Sequence, residues 1–436
     1  MEWQVALAVM LGALLALMGL GMPVALAFFA TNILCIFLFM GGSVGVAQMV
    51  TNFGDAVSIY ALTPLPLFMI MGSLFFRSGL GENVFRAIDM CIGSLRARLA
   101  YLTVLSGAVF ASLSGSSIAN TGMMGSTMVP TMLGRGYRPH MAFGPVLGAG
   151  SLAVIIPPSA LAVLLGSLAQ IDVGALLIAG VLPGFMLAAM FIALIYVQAA
   201  IDPDAAPQYE VGRYTLREKL AAVMVNVVPM SVIVLLVVGT IILGIASPTE
   251  SAALGCLGVA ALLVAYRRFS WAVARKTLDD AMKVTAMTFL VIAASTTFAQ
   301  VLAFSGASGG FVQWLLSFGA SPMLLLALMI GSIVLLGMFM DQLSMMLITL
   351  PIFVPIAQSL GFDLVWFGLM LLLAYEIGFT TPPFGLLLFV MLGVAPPGTT
   401  LGTVARAALP YILCTIALIV LIAAFPPLAL LLPGLK

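Results

Sequence analysis

Ser114-Gly115-Ser116-Ser117-Ile118-Ala119-Asn120-Thr121-Gly122 is a polar, glycine-broken run inside a chain that is otherwise apolar. Apolar helix is expected on both sides of it, over 99–113 and 123–133. Ser, Asn and Thr are poor in helix interiors but supply side-chain oxygens and free carbonyls. At membrane depth, non-helical backbone survives only where protein buries it or it lines a wet cavity. The run therefore reads as a helical hairpin whose tip binds something polar.

Composition sets the class. Of 436 residues, 63% are hydrophobic and 7% charged, against roughly 25% charged in a soluble domain. The chain reads as an all-α polytopic membrane protein. Its apolar runs lack the two-residue alternation of a barrel strand. The 24 prolines and 43 glycines predict broken helices. A net charge of +1 gives no footprint for nucleic acid. Cys35, Cys91, Cys256 and Cys414 show no metal or disulfide spacing and read as buried, inert thiols. The first apolar stretch has no basic lead and is expected to be retained as a span. One histidine, His140 in a basic turn, leaves no catalytic pair, and neither a hydrolase nor a phosphate-loop motif is present. An enzyme is not expected.

Spans are expected at about 5–21, 24–40, 64–77, 99–113, 123–133, 139–156 and 173–198, and again from 220 onward. Two charged amphipathic stretches, 82–98 and 267–283, suit helices lying in the interface. The segment 202–219, with Asp202, Asp204, Glu210, Arg213, Arg217, Glu218 and Lys219, is the natural linker between halves. A shift of 225 positions then lays Ser116 on Asp341, Pro130 on Pro355, Gly136 on Gly361, Tyr137 on Phe362, and Pro157-Pro158 on Pro382-Pro383. Pro183 falls near Pro410 with a slip of two. Two repeats, each with a broken hairpin and a Pro-Pro break, mark a secondary transporter. Basic clusters at Arg96–Arg98, Arg213–Lys219 and Arg267–Lys276 are expected to face the cytoplasm and favour a re-entrant first hairpin.

Ser114, Ser116, Ser117, Asn120 and Thr121 offer hydroxyl, amide and carbonyl oxygens to a hard cation such as Na⁺. A helix starting near Asn120 offers its N-terminus to an anionic substrate group. In the second copy Gly337, Asp341, Gln342 and Ser344 stand in the matching place. A carboxylate in an apolar setting costs about 2.5–3.5 kcal/mol on insertion scales, so Asp341 either helps hold a cation or caps the following helix. Glu376 lies opposite Ser151, just before Gly378-Phe379-Thr380-Thr381-Pro382-Pro383, whose hydroxyls and unwound carbonyls are further cation ligands. Ile156-Pro157-Pro158-Ser159 is the corresponding break in the first half, and Ser159 joins the substrate candidates.

Ser114 to Thr121, together with Ile156-Pro157-Pro158-Ser159 and Thr380-Thr381-Pro382-Pro383, resembles the large membrane subunit of tripartite ATP-independent periplasmic (TRAP) transporters over essentially the whole chain. The resemblance implies an elevator-type, Na⁺-coupled importer of the ion-transporter superfamily with two inverted repeats and two re-entrant hairpins. It implies partners: a separate small four-helix membrane subunit, a periplasmic substrate-binding protein, membrane lipid, and a small organic acid such as a dicarboxylate or sialic acid. It also implies a place, the bacterial inner membrane. One cation would use Ser114 and Ser117 with Gly337, a second the Gly378, Thr380 and Thr381 region. Substrate would lie near Ser116, Asn120, Thr121 and Ser344. The division implied is scaffold helices (1–81), a first arm (82–98), a first transport half (99–200, hairpin about 99–133) and a linker (201–219). Then follow second scaffold helices (220–266), a second arm (267–283), a second transport half (284–410, hairpin about 323–358) and a C-terminal helix (411–436). The wider ion-transporter class, with stand-alone Na⁺- or H⁺-coupled di- and tricarboxylate carriers, shares the broken-hairpin logic.

Overall fold

In a computed structural model the described residues are 2–58, 60–93, 95–208, 214–383 and 385–435. Glu210 and Arg213 of the charged linker lie outside the described residues. The described residues form helices and no strand. Among the described residues five helices are long and apolar enough to cross a membrane, and six if the bent pair Leu216–Asn226 and Val228–Ile242, which meet at 42°, counts as one. Shorter apolar helices such as Trp3–Gly19 and Val24–Phe39 accompany them.

Their outer faces identify the solvent. Along Val228–Ile242 the buried positions are Met230, Ile233, Val237 and Ile241, a helical stripe. The opposite face is Val232, Leu235 and Leu236, exposed and equally apolar. A helix apolar all round yet exposed on one side faces lipid. Two helices instead have no outer face. Pro139–Ser151 is buried from Met141 to Ser151, and Leu364–Thr380 from Trp366 to Thr380. They form the centre of the molecule.

The polar run of the first half is a tight reversal. Helix Arg98–Ser114 ends at Gly115, whose φ of 58° is the left-handed value that a glycine adopts without cost. Ser116 is extended, and helix Ser117–Gly134 returns. The Leu99 N–H donates to the Tyr137 hydroxyl at 3.3 Å, so the chain enters and leaves this hairpin at the same end. In the second half, Pro322–Gly337 and Gln342–Ser359 are joined across 338–341. The returning helices are each 18 residues long and start 225 positions apart. Helices Pro139–Ser151 and Leu364–Thr380 run toward Pro157-Pro158 and Pro382-Pro383, and both Pro-Pro bonds are cis. Short helices Ala160–Leu168 and Leu386–Val394 follow.

Two expectations are corrected. The amphipathic stretch 267–283 is no separate helix. Trp271–Phe304 runs unbroken for 34 residues through it and the following span, because nothing between Lys283 and Thr285 breaks a helix. The short helix ahead of the second hairpin is Ala307–Ser317, as Leu80–Ile92 stands ahead of the first. Cys91 is exposed rather than buried, since it ends the amphipathic Leu80–Ile92 beyond that helix's buried positions. Charged residues serve as ties between elements. Arg98, itself buried, pairs with Asp89 at 2.9 Å. Arg77 pairs with Asp280 on the long helix, and Arg138 with Asp202.

Candidate functional site

Both hairpin tips are built by a side chain that caps the returning helix. The Ser116 hydroxyl accepts from the Ala119 N–H at 3.4 Å, and Asp341 Oδ1 accepts from the Ser344 N–H at 2.7 Å. Residues matched across the two halves thus hold the same position in their helices. For Asp341 the structure displays the capping geometry, which satisfies a helix N–H that otherwise has no partner.

The two tips meet at Glu376. Its side chain is buried on the central helix Leu364–Thr380. Oε2 accepts from the Ser117 hydroxyl at 2.9 Å and from the Gln342 side-chain amide at 2.5 Å. Ser117 is the first residue of the first returning helix and Gln342 the first of the second. One carboxylate oxygen therefore ties both hairpins to the central helix. The other oxygen, Oε1, is buried without a hydrogen-bond partner.

Beside this node lies a cavity of about 460 Å³, a size suited to a small organic molecule. Ser114 to Ala119 form one wall and Gln342 and Leu343 another. Thr288 of the long helix and Ser73 and Arg77 of helix Pro64–Arg77 complete the polar part. Arg77 is the one charged side chain among the described lining residues. The tip is wedged in place. A Cβ on Gly115 would stand 2.9 Å from the Pro158 carbonyl oxygen, so the hairpin presses directly on the first Pro-Pro break.

A second cluster forms behind the second hairpin. A Cβ on Gly337 would lie 2.4 Å from the Gly378 Cα, so two backbones pass in contact there. The Thr380 and Thr381 hydroxyls donate to the carbonyls of Glu376 and Ile377 at 2.9 and 2.6 Å. Their protons are engaged within the helix, and each oxygen keeps the capacity to accept. Ser114 and Ser117 thus lie together at the first tip, and Gly337, Gly378, Thr380 and Thr381 at the second break.

Four of the five substrate candidates sit elsewhere. Only Ser116 lines the 460 Å³ cavity. Asn120 is fully buried and spends its amide on the Gly107 and Ala149 carbonyls, at 3.1 and 2.7 Å. Thr121 is pressed against Gly150, where a Cβ would stand 1.8 Å from its hydroxyl oxygen. Ser159 caps Ala160–Leu168 through the Ala162 N–H at 3.2 Å. Ser344 is buried, and its backbone is engaged by Asp341. For Asn120, Thr121 and Ser344 the cause is helical phase, since within the first turn of a returning helix some side chains point into the protein and not at the cavity. Ser159 is instead held by its capping role. His140 is not among the cavity-lining residues. Sequence reasoning set Gln342 at the second tip and Glu376 beside the second break without giving either a role, and it did not reach Arg77. A signal for Glu376 existed, because it is the one charged residue between Asp363 and Arg406 and so carries the same desolvation argument as Asp341.

Comparison with known proteins matches residues 11–428 to the family described as "Tripartite ATP-independent periplasmic transporter, DctM component". The C4-dicarboxylate TRAP transporter large permease protein DctM of Pseudomonas aeruginosa is 32% identical, over 86% of this chain and 86% of that one. The sialic acid TRAP transporter large permease protein SiaM of Vibrio cholerae is 26% identical over 98% and 99%. Among solved structures, the YdaH transporter of Alcanivorax borkumensis superposes with a TM-score of 0.62 at 17% identity, covering 87% of this chain and 88% of that one. That likeness shows a shared fold.

Proposed function

The chain belongs to the DctM family of TRAP transporters, and from its geometry we propose that it drives Na⁺-coupled import of a small organic acid. As a permease of that family it is a multi-pass protein of the bacterial inner membrane and not an enzyme. The observation that carries the proposal is the joint hold of Ser117 and Gln342 on Glu376, at the edge of a 460 Å³ cavity. Cations bound by the oxygens of Ser114 and Ser117, and by the Gly378–Thr381 backbone and hydroxyls, would fix the two tips. The cavity wall between the tips would then be complete, and the acid would bind to a preorganised site. Na⁺ is in this reading a transported ion and not a resident cofactor.

The acid's carboxylate has two attractors. One is the pair of helix N-termini at Ser117 and Gln342, with their dipoles and free N–H groups. The other is Arg77, which can turn from Asp280 toward the cavity it lines. The relatives named for C4-dicarboxylate and sialic acid support a substrate of that kind. An elevator motion of two inverted repeats is consistent with the recurrence of helix starts at 117 and 342, 139 and 364, and 322 against 98. The partners in this reading are a separate small four-helix membrane subunit and a periplasmic binding protein that delivers the acid.

The test is uptake of a radiolabelled C4-dicarboxylate or sialic acid by liposomes holding the chain, its small subunit and its binding protein. Accumulation is expected only with an inward Na⁺ gradient. Equal accumulation under a K⁺ gradient would overturn the sodium coupling.

A further inference from the structure

We propose that a small cavity lined by buried residues beside Glu376 is a binding site for one monovalent cation of the size of Na⁺. The proposal rests on the sodium reading and adds a second position beside Glu376, sharing the Thr380 hydroxyl with the second-break candidates. The cavity lies between helices Pro139–Ser151, Leu364–Thr380 and Leu401–Ala424, and Ser151, Glu376, Thr380, Tyr411 and Thr415 line it. Its volume of about 10 Å³ admits a single water-sized particle. Ser151 and Glu376 are the two residues that the shift of 225 lays on each other, so equivalent points of the two buried central helices face one hole.

The walls offer lone pairs and almost no hydrogens. The Ser151 hydroxyl donates to the Gly148 carbonyl at 2.8 Å, Thr380 to the Glu376 carbonyl at 2.9 Å, and Thr415 to the Tyr411 carbonyl at 3.1 Å. Each of those protons is engaged within its own helix, leaving the oxygen to accept. Glu376 Oε1 and the Tyr411 hydroxyl are both buried without partners. Unsatisfied groups of this kind in a native interior call for an occupant. Among the described residues the ion pairs are Arg77–Asp280, Arg98–Asp89 and Arg138–Asp202, so no basic side chain offsets Glu376. A water would bring two hydrogens but no charge. A cation brings both the charge and the capacity for several oxygens. One carboxylate among neutral oxygens suits a monovalent ion, and among the described residues no group of three acidic, His or Cys side chains exists to hold a divalent one.

The experiment is equilibrium ²²Na⁺ binding to the purified full chain in detergent, against choline at constant ionic strength. The variants are Thr415→Val and Tyr411→Phe, each removing one oxygen at nearly unchanged shape, and Ser114→Ala as the hairpin-tip variant. Thr415→Val and Tyr411→Phe are expected to lose one bound ion per chain or to weaken it at least tenfold, with that ion retained in Ser114→Ala. Wild-type stoichiometry and affinity in both cavity variants would overturn this site, and a loss confined to Ser114→Ala would leave the hairpin reading standing alone. No Na⁺ binding by the wild type would overturn both. If Thr415→Val does not fold, Tyr411→Phe decides.

Discussion

Removing the two donors to Glu376, singly and together, measures how firmly the hairpins are joined. Ser117→Ala deletes a hydroxyl that reaches the carboxylate at 2.9 Å, and Gln342→Leu keeps the bulk of the second donor without its amide. A hydrogen bond to a charged group contributes about 1.5–3 kcal/mol. With 1.4 kcal/mol per factor of ten, each single variant is expected to shift the seating of its hairpin by roughly 10- to 150-fold. In the proposed reading the transported cation drives that seating, so the Na⁺ concentration for half-maximal uptake is expected to rise by about that factor. The double variant is not the sum. Both donors share Oε2, and Oε1 has no partner to fall back on, so the second deletion strips a buried carboxylate of its last donor and costs more than the first. The assay is uptake by proteoliposomes across a Na⁺ series, with thermal unfolding in detergent to confirm that each variant is folded. Na⁺ midpoints within threefold of wild type in both singles, with an additive double, would refute the idea that Glu376 links the two tips.

Asp341 separates capping from cation binding. Asp341→Asn keeps an oxygen for the Ser344 N–H and is expected to leave stability and Na⁺ dependence near wild type, whereas Asp341→Ala loses about 1 kcal/mol of cap in thermal unfolding; a Na⁺ defect in the Asn variant would instead make the charge a ligand. Gly115→Ala sets a side chain at φ 58° and 2.9 Å from a carbonyl oxygen, so a loss of at least about 1–2 kcal/mol in unfolding free energy is expected, together with loss of uptake. Arg77→Ala is expected to raise KM for the acid by about tenfold with the Na⁺ midpoint unchanged, and an unchanged KM would remove Arg77 from the substrate path.

The class and the positions of the helix breaks were legible in the sequence because they rest on local chemistry. Charge content, the Ser-Gly-Ser-Ser run and the Pro-Pro pairs act on backbone within a few residues of themselves, and hydropathy reports burial wherever the chain folds. Spacing alone brought Ser116 and Asp341 into correspondence, and both turned out to cap helices. Which oxygens face a common cavity was decided only by tertiary structure. Ser117 and Glu376 are 259 residues apart and Gln342 is 34 from Glu376, and no local pattern encodes that three helices bring them to one point. Asn120 and Thr121 had the right chemistry at the right tip, but helical phase turned them to the Gly107, Ala149 and Gly150 backbone. Polar residue types mark where a chain can bind. The rotation of each helix about its axis, set by packing against its neighbours, selects which of those residues do.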